Sequence, residues 1–320
     1  MAEKKKFNFG QFYGKFGILI ILVVLFVISA VAVPGFLSRY NLTNILLAIA
    51  CTTTLALGAT FVIILGHINI AYGSELAFIG CAACMVDVAT GSVVPAIIVA
   101  LVLGIVFGAL CGFVITKFSI PAFIMTLALT EAARGGAVKI TNGQTISGLS
   151  KPFTFLGQGY IGPIPMAIII LAVCFVICYI ILNKTPFGRY IYAVGGNAKA
   201  AEASGIKPNS VVFKAYLLDG VLTGIASLLL MARLNSGVPG AGLTYEMDAI
   251  TAVVVGGTSM AGGSGTLVGT IFGAIIVGII NNIQTLMGVD SNIQRIVKGV
   301  IIVAAVIIDV VTKNSAKKAR

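Results

Sequence analysis

The sequence predicts an all-α integral membrane protein of about ten transmembrane helices, some of them broken. Three observations lead there. Of the 320 residues, 58% are hydrophobic and only 10% charged, with a mean hydropathy of +1.08, whereas soluble domains carry about 25% charged residues. The apolar residues come in unbroken, span-length runs rather than in alternation, which disfavours a β-barrel. The 38 glycines suit membrane helices, whose association depends on close backbone approach.

The chain opens with "MAEKKKFNFGQFYGKF", read as a cytoplasmic tail over 1–16. The apolar run 17–33 follows and leaves through Pro34 and Gly35 without a small-residue cleavage site, so an uncleaved first span is expected. Further spans are expected at 45–65, 73–89, 94–116, 121–140, 165–182, 211–231, 250–260, 266–286 and 296–311. The segment 250–260 is too short to cross alone. It is expected to be a broken helix joined to the next by a glycine-rich reversal. These segments define a membrane domain over 17–312 and a cytoplasmic tail over 313–320.

Two connections exceed turn length, an outer loop at 141–164 and an inner loop at 183–210. With the N-terminus inside, the inner segments hold Lys4, Lys5, Lys6, Lys15, Lys117, Lys184, Arg189, Lys199, Lys207 and Lys214, and the C-terminal basic residues. That bias predicts both termini in the cytoplasm. The net charge of +11 is then a topology signal, satisfied by anionic membrane lipid, and no nucleic-acid partner is expected.

Catalytic and cofactor chemistry are not expected. The six cysteines fall inside apolar stretches. Neither Cys81–Cys84 nor Cys174–Cys178 has the further His or Cys that a metal site needs. The stretch "YEMDAITAVVVGGTSMAGGSG" invites a nucleotide reading, but no Lys lies between Lys214 and Lys298 to reach a phosphate. The glycines are expected instead to permit a tight reversal and close helix contact.

In the inner loop, "NAKAAEASG" reads as a short helix with Asn197 as N-cap and Gly205 as C-terminal stop. Such a helix is marginal in water and too polar for lipid, so it is expected to dock on something.

Here the sequence resembles a known family. "TPFGRYIYAVGGNAKAAEASGI" and "YEMDAITAVVVGGTSMAGGSGTLVG", with "PAFIMTLALTEAARG" and "VKGVIIVAAVIID", resemble the permease subunit of bacterial ribose-type ABC importers. The resemblance implies a homodimeric permease in the bacterial inner membrane. It would take a monosaccharide such as ribose from a periplasmic or lipid-anchored solute-binding protein and work with a cytosolic ATP-binding subunit. It also implies that the inner loop contains the coupling helix, which puts Gly195, Gly196, Asn197, Ala200, Ala201, Ala203 and Gly205 at the ATPase contact. Glycine-rich stretches around Gly73 and Gly263 are compatible with inverted repeats.

The chain departs from that family at "HINIAYG". Asn69 stands where the family usually has Asp, and Ala71 where it has Ser. The only His, His67, lies beside them. Asp219 stands where related permeases tend to have a small uncharged residue.

An unpaired charge at mid-bilayer costs ~2.5–3.5 kcal/mol or more, so charged residues near spans need partners or a wet path. Glu131 and Arg134, three apart on one helix, are expected to neutralise each other. Asp219 is expected to face a partner, with Lys298 the candidate, or a wet pathway. Glu246 and Asp248 are expected at the outer mouth beside the glycine-rich reversal, contacting solute or binding protein or capping a helix. Asn69, Glu75, Asp219, Glu246 and Asp248 are thus the candidate pathway residues. The rival to an ATP-driven permease is an ion-coupled secondary transporter using Glu75, Asp219 or His67 as proton carrier. A membrane scaffold would leave the buried charges without a role.

Overall fold

The computed structural model describes residues 9–318, most of them helical. The helices are α1 (Phe9–Ala32), α2 (Arg39–Ile64), α3 (Tyr72–Thr90), α4 (Val93–Phe118), α5 (Ala122–Thr141) and α6 (Lys151–Gln158). After a two-strand hairpin, β1 (Tyr160–Ile161) with β2 (Ile164–Pro165), come α7 (Met166–Lys184), α8 (Pro186–Gly196), α9 (Ala198–Ala203) and α10 (Pro208–Leu234). The chain finishes with α11 (Tyr245–Val255), α12 (Leu267–Leu286) and α13 (Ser291–Lys318). Six of these, α2, α3, α4, α7, α10 and α12, are long and apolar enough to cross a membrane.

Local chemistry sets the boundaries. Ser38 caps α2 by accepting from the Asn41 amide at 3.2 Å, and Thr266 caps α12 by accepting from Gly269 at 3.1 Å. Left-handed residues end α4 at Ser119, α5 at Asn142 and α10 at Asn235. Asn and Ser tolerate that conformation better than branched residues do.

α2 and α10 form the buried centre, while α4 and α7 turn apolar faces outward, including Val102, Val106, Val176 and Ile180. α4 and α10 meet backbone to backbone. A Cβ on Gly104 would strike the Gly220 carbonyl, and one on Gly220 would strike the Gly104 carbonyl. This is the small-residue contact that membrane helices use where water does not drive them together.

The structure moves several expected boundaries. α1 already begins at Phe9 and α13 runs to Lys318, so helix extends into both expected tails; residues 1–8 and 319–320 lie outside the described residues. The short segment expected at 250–260 is α11, ending at Val255, and at 11 residues it rises about 16 Å. The outer loop contains α6 and the hairpin, and α8 precedes the expected inner-loop helix. Asp87 ties the outer loop down, its carboxylate accepting from the Ser150 amide and hydroxyl, both at 2.7 Å.

Candidate functional site

The connection between α2 and α3 is extended and enters the bundle. Asn69, at its centre, turns back so that Oδ1 accepts from the Ala71 amide at 2.9 Å. This local bond starts α3 and leaves the Asn69 amide nitrogen facing α10, where it donates to Asp219 Oδ2 at 3.1 Å. Tyr72 Oη, from the first turn of α3, donates to Asp219 Oδ1 at 2.9 Å. Asp219 lies near the middle of α10, and α2 passes so close that a Cβ on Gly58 would strike Oδ1. Glu75 lies one turn along α3 and is buried with Asn69, Tyr72 and Asp219. The start of α3 favours a negative charge there.

Among the described residues, neither Asp219 nor Glu75 has an ion-pair partner. Asp219 is instead held by two neutral donors, one to each oxygen. Tyr216, one turn earlier on α10, is fully buried and its Oη has no partner. Its ring lies 6.0 Å from that of His67, which lines a cavity of about 530 Å³ between the α2–α3 connection, α4, α8 and the start of α10.

A second charged group surrounds the start of α11. Lys298 bridges both Asp248 oxygens at 2.8 Å and donates to Thr244 Oγ1 at 3.3 Å. Glu246 lies against Gly73, where an added Cβ would meet Oε2 at 2.6 Å.

At the α9 end of the bundle, three backbone segments meet without side chains between them. The Gly263 amide donates to the Ile64 carbonyl, the last residue of α2, at 2.8 Å. A Cβ on Gly195 would strike that same carbonyl, and one on Gly263 would lie 2.9 Å from Gly196 Cα. Gly263 has a φ of +75°, where only glycine is unstrained. Tyr192 Oη donates to the Gly265 carbonyl at 2.8 Å; burial pushes its phenol above the ordinary value, which keeps it a donor. Just beyond, Asn197 Oδ1 accepts from the Ala200 amide at 3.0 Å, and Gly205 closes α9 with a φ of +84°.

A family model described as "Branched-chain amino acid transport system / permease component" matches residues 41–306. The chain is 41% identical to the ribose import permease protein RbsC of Bacillus subtilis over 96% of each chain. It is 33% identical to the xylose transport system permease protein XylH of Haemophilus influenzae, over 93% of this chain and 96% of that one. It is also 33% identical to the L-arabinose transport system permease protein AraH of Escherichia coli, over 96% and 94% respectively. The chain belongs to this family of ABC-importer permeases. No solved structure matches it.

The permease brings Asn69, Glu75 and Asp219 together, and sets Glu246 and Asp248 apart from them around α11. It corrects four expectations. Lys298 pairs with Asp248, not Asp219. Arg134 does not bond Glu131; its Nη1 donates to the Pro239 and Ala241 carbonyls at 2.8 and 2.9 Å. Glu246 and Asp248 are not beside the glycine-rich reversal but at the other end of α11, because that helix separates them. Ala201 is buried against the permease itself, whereas Gly196, Asn197, Ala200, Ala203 and Gly205 are exposed, so of the three alanines only Ala200 and Ala203 are open to a partner. Tyr72 and Tyr216 were missed. Their helical spacings, three before Glu75 and three before Asp219, were the available signal.

Proposed function

We propose that this permease moves a monosaccharide such as ribose inward across the bacterial inner membrane by alternating access. ATP hydrolysis on a separate cytosolic subunit drives the cycle, and a periplasmic or lipid-anchored solute-binding protein delivers the sugar. The permease works as a homodimer with both termini in the cytoplasm. It performs no covalent chemistry. The relatives named for ribose, xylose and arabinose support the sugar.

The observation that carries the coupling is the glycine junction. α9 offers an exposed polar face with Lys199, Ala200, Glu202 and Ala203, bordering an open groove that Pro208 and Asn209 complete. Its neighbour α8 is joined through Gly195 and Tyr192 to the glycine-rich reversal and to the end of α2. A push on α9 therefore reaches α2, and through residues 65–71 the Asn69–Asp219 contact. Asn69, Glu75 and Asp219 serve the solute path; Glu246 and Asp248 shape its wall around α11.

Uptake in vesicles carrying the permease with its ATPase and binding protein tests this. Uptake should need ATP and stop without the ATPase. Uptake that persists without the ATPase and collapses with the proton gradient would establish the ion-coupled alternative instead. Orientation is checked with Lys199→Cys and Lys151→Cys, both exposed. In sealed right-side-out vesicles a membrane-impermeant thiol reagent should reach position 151 and not position 199.

A further inference from the structure

At the end opposite α9, a crevice of about 630 Å³ runs between α2 and α12. It joins a second hollow of about 540 Å³ at Arg39 and Tyr160, with Tyr40, Asn44 and Arg233 common to both. The crevice extends inward to Thr52, which lies 13 residues, about 20 Å, from the start of α2. Gly58, the residue touching Asp219, is about 9 Å farther along the same helix.

One wall is fixed. Asn41 and Asn282 exchange amide hydrogen bonds at 3.0 and 2.7 Å, and Asn41 also donates to the Phe36 carbonyl at 2.9 Å. The opposite groups are unmatched. The Asn44 amide and the half-buried Arg233 guanidinium have no hydrogen-bond or ion-pair partner among the described residues. Asn281 Oδ1, on α12, is shielded from bulk water and has no partner either. Thr52 bonds only back to the Ala48 carbonyl at 3.2 Å. No carboxylate lines either hollow.

We propose that this crevice is an entry site for an uncharged polyhydroxylated solute, a monosaccharide, held by Arg233 and Asn44 before it reaches the Asn69–Asp219 contact. The unmatched groups are of both kinds. Arg233 only donates, whereas the Asn44 side chain offers both a donor and an acceptor. A bare anion would serve the guanidinium and leave the Asn44 carbonyl unsatisfied, while each sugar hydroxyl both donates and accepts. The volume lies in the range of small-molecule sites, about 300–1,000 Å³. Arg39 and Arg233, without opposing carboxylates, disfavour a cationic solute.

The proposal rests on the permease being a monosaccharide importer, so uptake by the unaltered protein is measured in parallel. The probe is Thr52→Cys, with Ala48→Cys as a second position on the same wall. All six native cysteines are buried, so a charged methanethiosulfonate reports the introduced thiol in the native background. D-ribose, or whichever of ribose, xylose and arabinose the unaltered protein takes up, should slow labelling. The slowing should reach about tenfold at about ten times its Kd. Labelling that the transported sugar leaves unchanged overturns the entry site while the importer reading stands. Absence of any sugar uptake overturns both. Slowing by phosphatidylglycerol vesicles alone, or by sugar-free binding protein alone, would make the crevice a lipid or docking site and overturn the proposal. So would a thiol that never labels.

Discussion

Asn69 donates its side-chain amide to Asp219 across 3.1 Å, joining the α2–α3 connection to the middle of α10. The family resemblance leads one to expect an acid at the position of Asn69 in "HINIAYG". Here α10 supplies the carboxylate to the same place. Exchanging the two residues, Asn69→Asp with Asp219→Asn, should therefore retain sugar uptake. Asn69→Asp alone sets a second carboxylate against Asp219 and near Glu75, and should lose uptake and protein yield together. If the exchange is as inactive as the single change, the position of the acid matters and not only its presence.

Tyr72→Phe removes one of the two donors that hold Asp219 while conserving the ring. Depriving a buried acceptor of its donor costs about 1–3 kcal/mol, so the Tm in detergent should fall. An unchanged Tm would mean that the Tyr72–Asp219 bond contributes nothing to the folded state.

Asp248→Asn should destabilise the permease by leaving Lys298 without its partner. Breaking a buried ion pair costs about 3–5 kcal/mol, and less here because Lys298 remains 16% exposed. Lys298→Gln added to Asp248→Asn should recover most of the loss in Tm. Recovery failing in the double variant would assign Asp248 a role beyond this pair.

Gly195→Ala and Gly196→Ala should differ sharply although they are neighbours. A Cβ at 195 strikes the Ile64 carbonyl, whereas one at 196 meets nothing within 4 Å. Overpacking costs typically about 1–3 kcal/mol, and the displaced contact joins α8 to α2. Gly195→Ala should keep the ATPase bound but lose solute-stimulated hydrolysis, with Gly196→Ala near normal. Equal behaviour of the two would remove the junction from the coupling path.

Ala200→Trp and Ala201→Trp separate docking from folding. The exposed position 200 should accept Trp without loss of Tm and prevent co-purification of the ATPase. The buried position 201 should lower yield first. Ala200→Trp that still co-purifies would place the ATPase contact elsewhere.

Local signals were legible in the sequence and partners were not. The helix class, the broken segment before Gly256 and the Asn197–Gly205 caps follow from residues near one another in the chain. Asp219 was recognisable as a residue needing a partner, but nothing distinguished Asn69, 150 positions away, from Lys298. Arg134 was misassigned because its acceptors are backbone carbonyls, which every residue carries. The direction of Ala201 could not be read because six residues of helix carry too little pattern to set a face. The crevice at Arg233 depends on α2 and α12 meeting, a contact between segments more than 200 residues apart.

At Gly104 and Gly220, α4 and α10 touch main chain to main chain. Side-chain layers let neighbouring helices slip by changing rotamers; at that crossing this pair has no such lubricant. The two helices should therefore travel as one plank during the transport cycle. Asp219 rides on that plank, whereas Asn69 and Tyr72 belong to the α2–α3 connection and the first turn of α3 beside it. Each stroke of the cycle then becomes a shearing of that one carboxylate past its two donors.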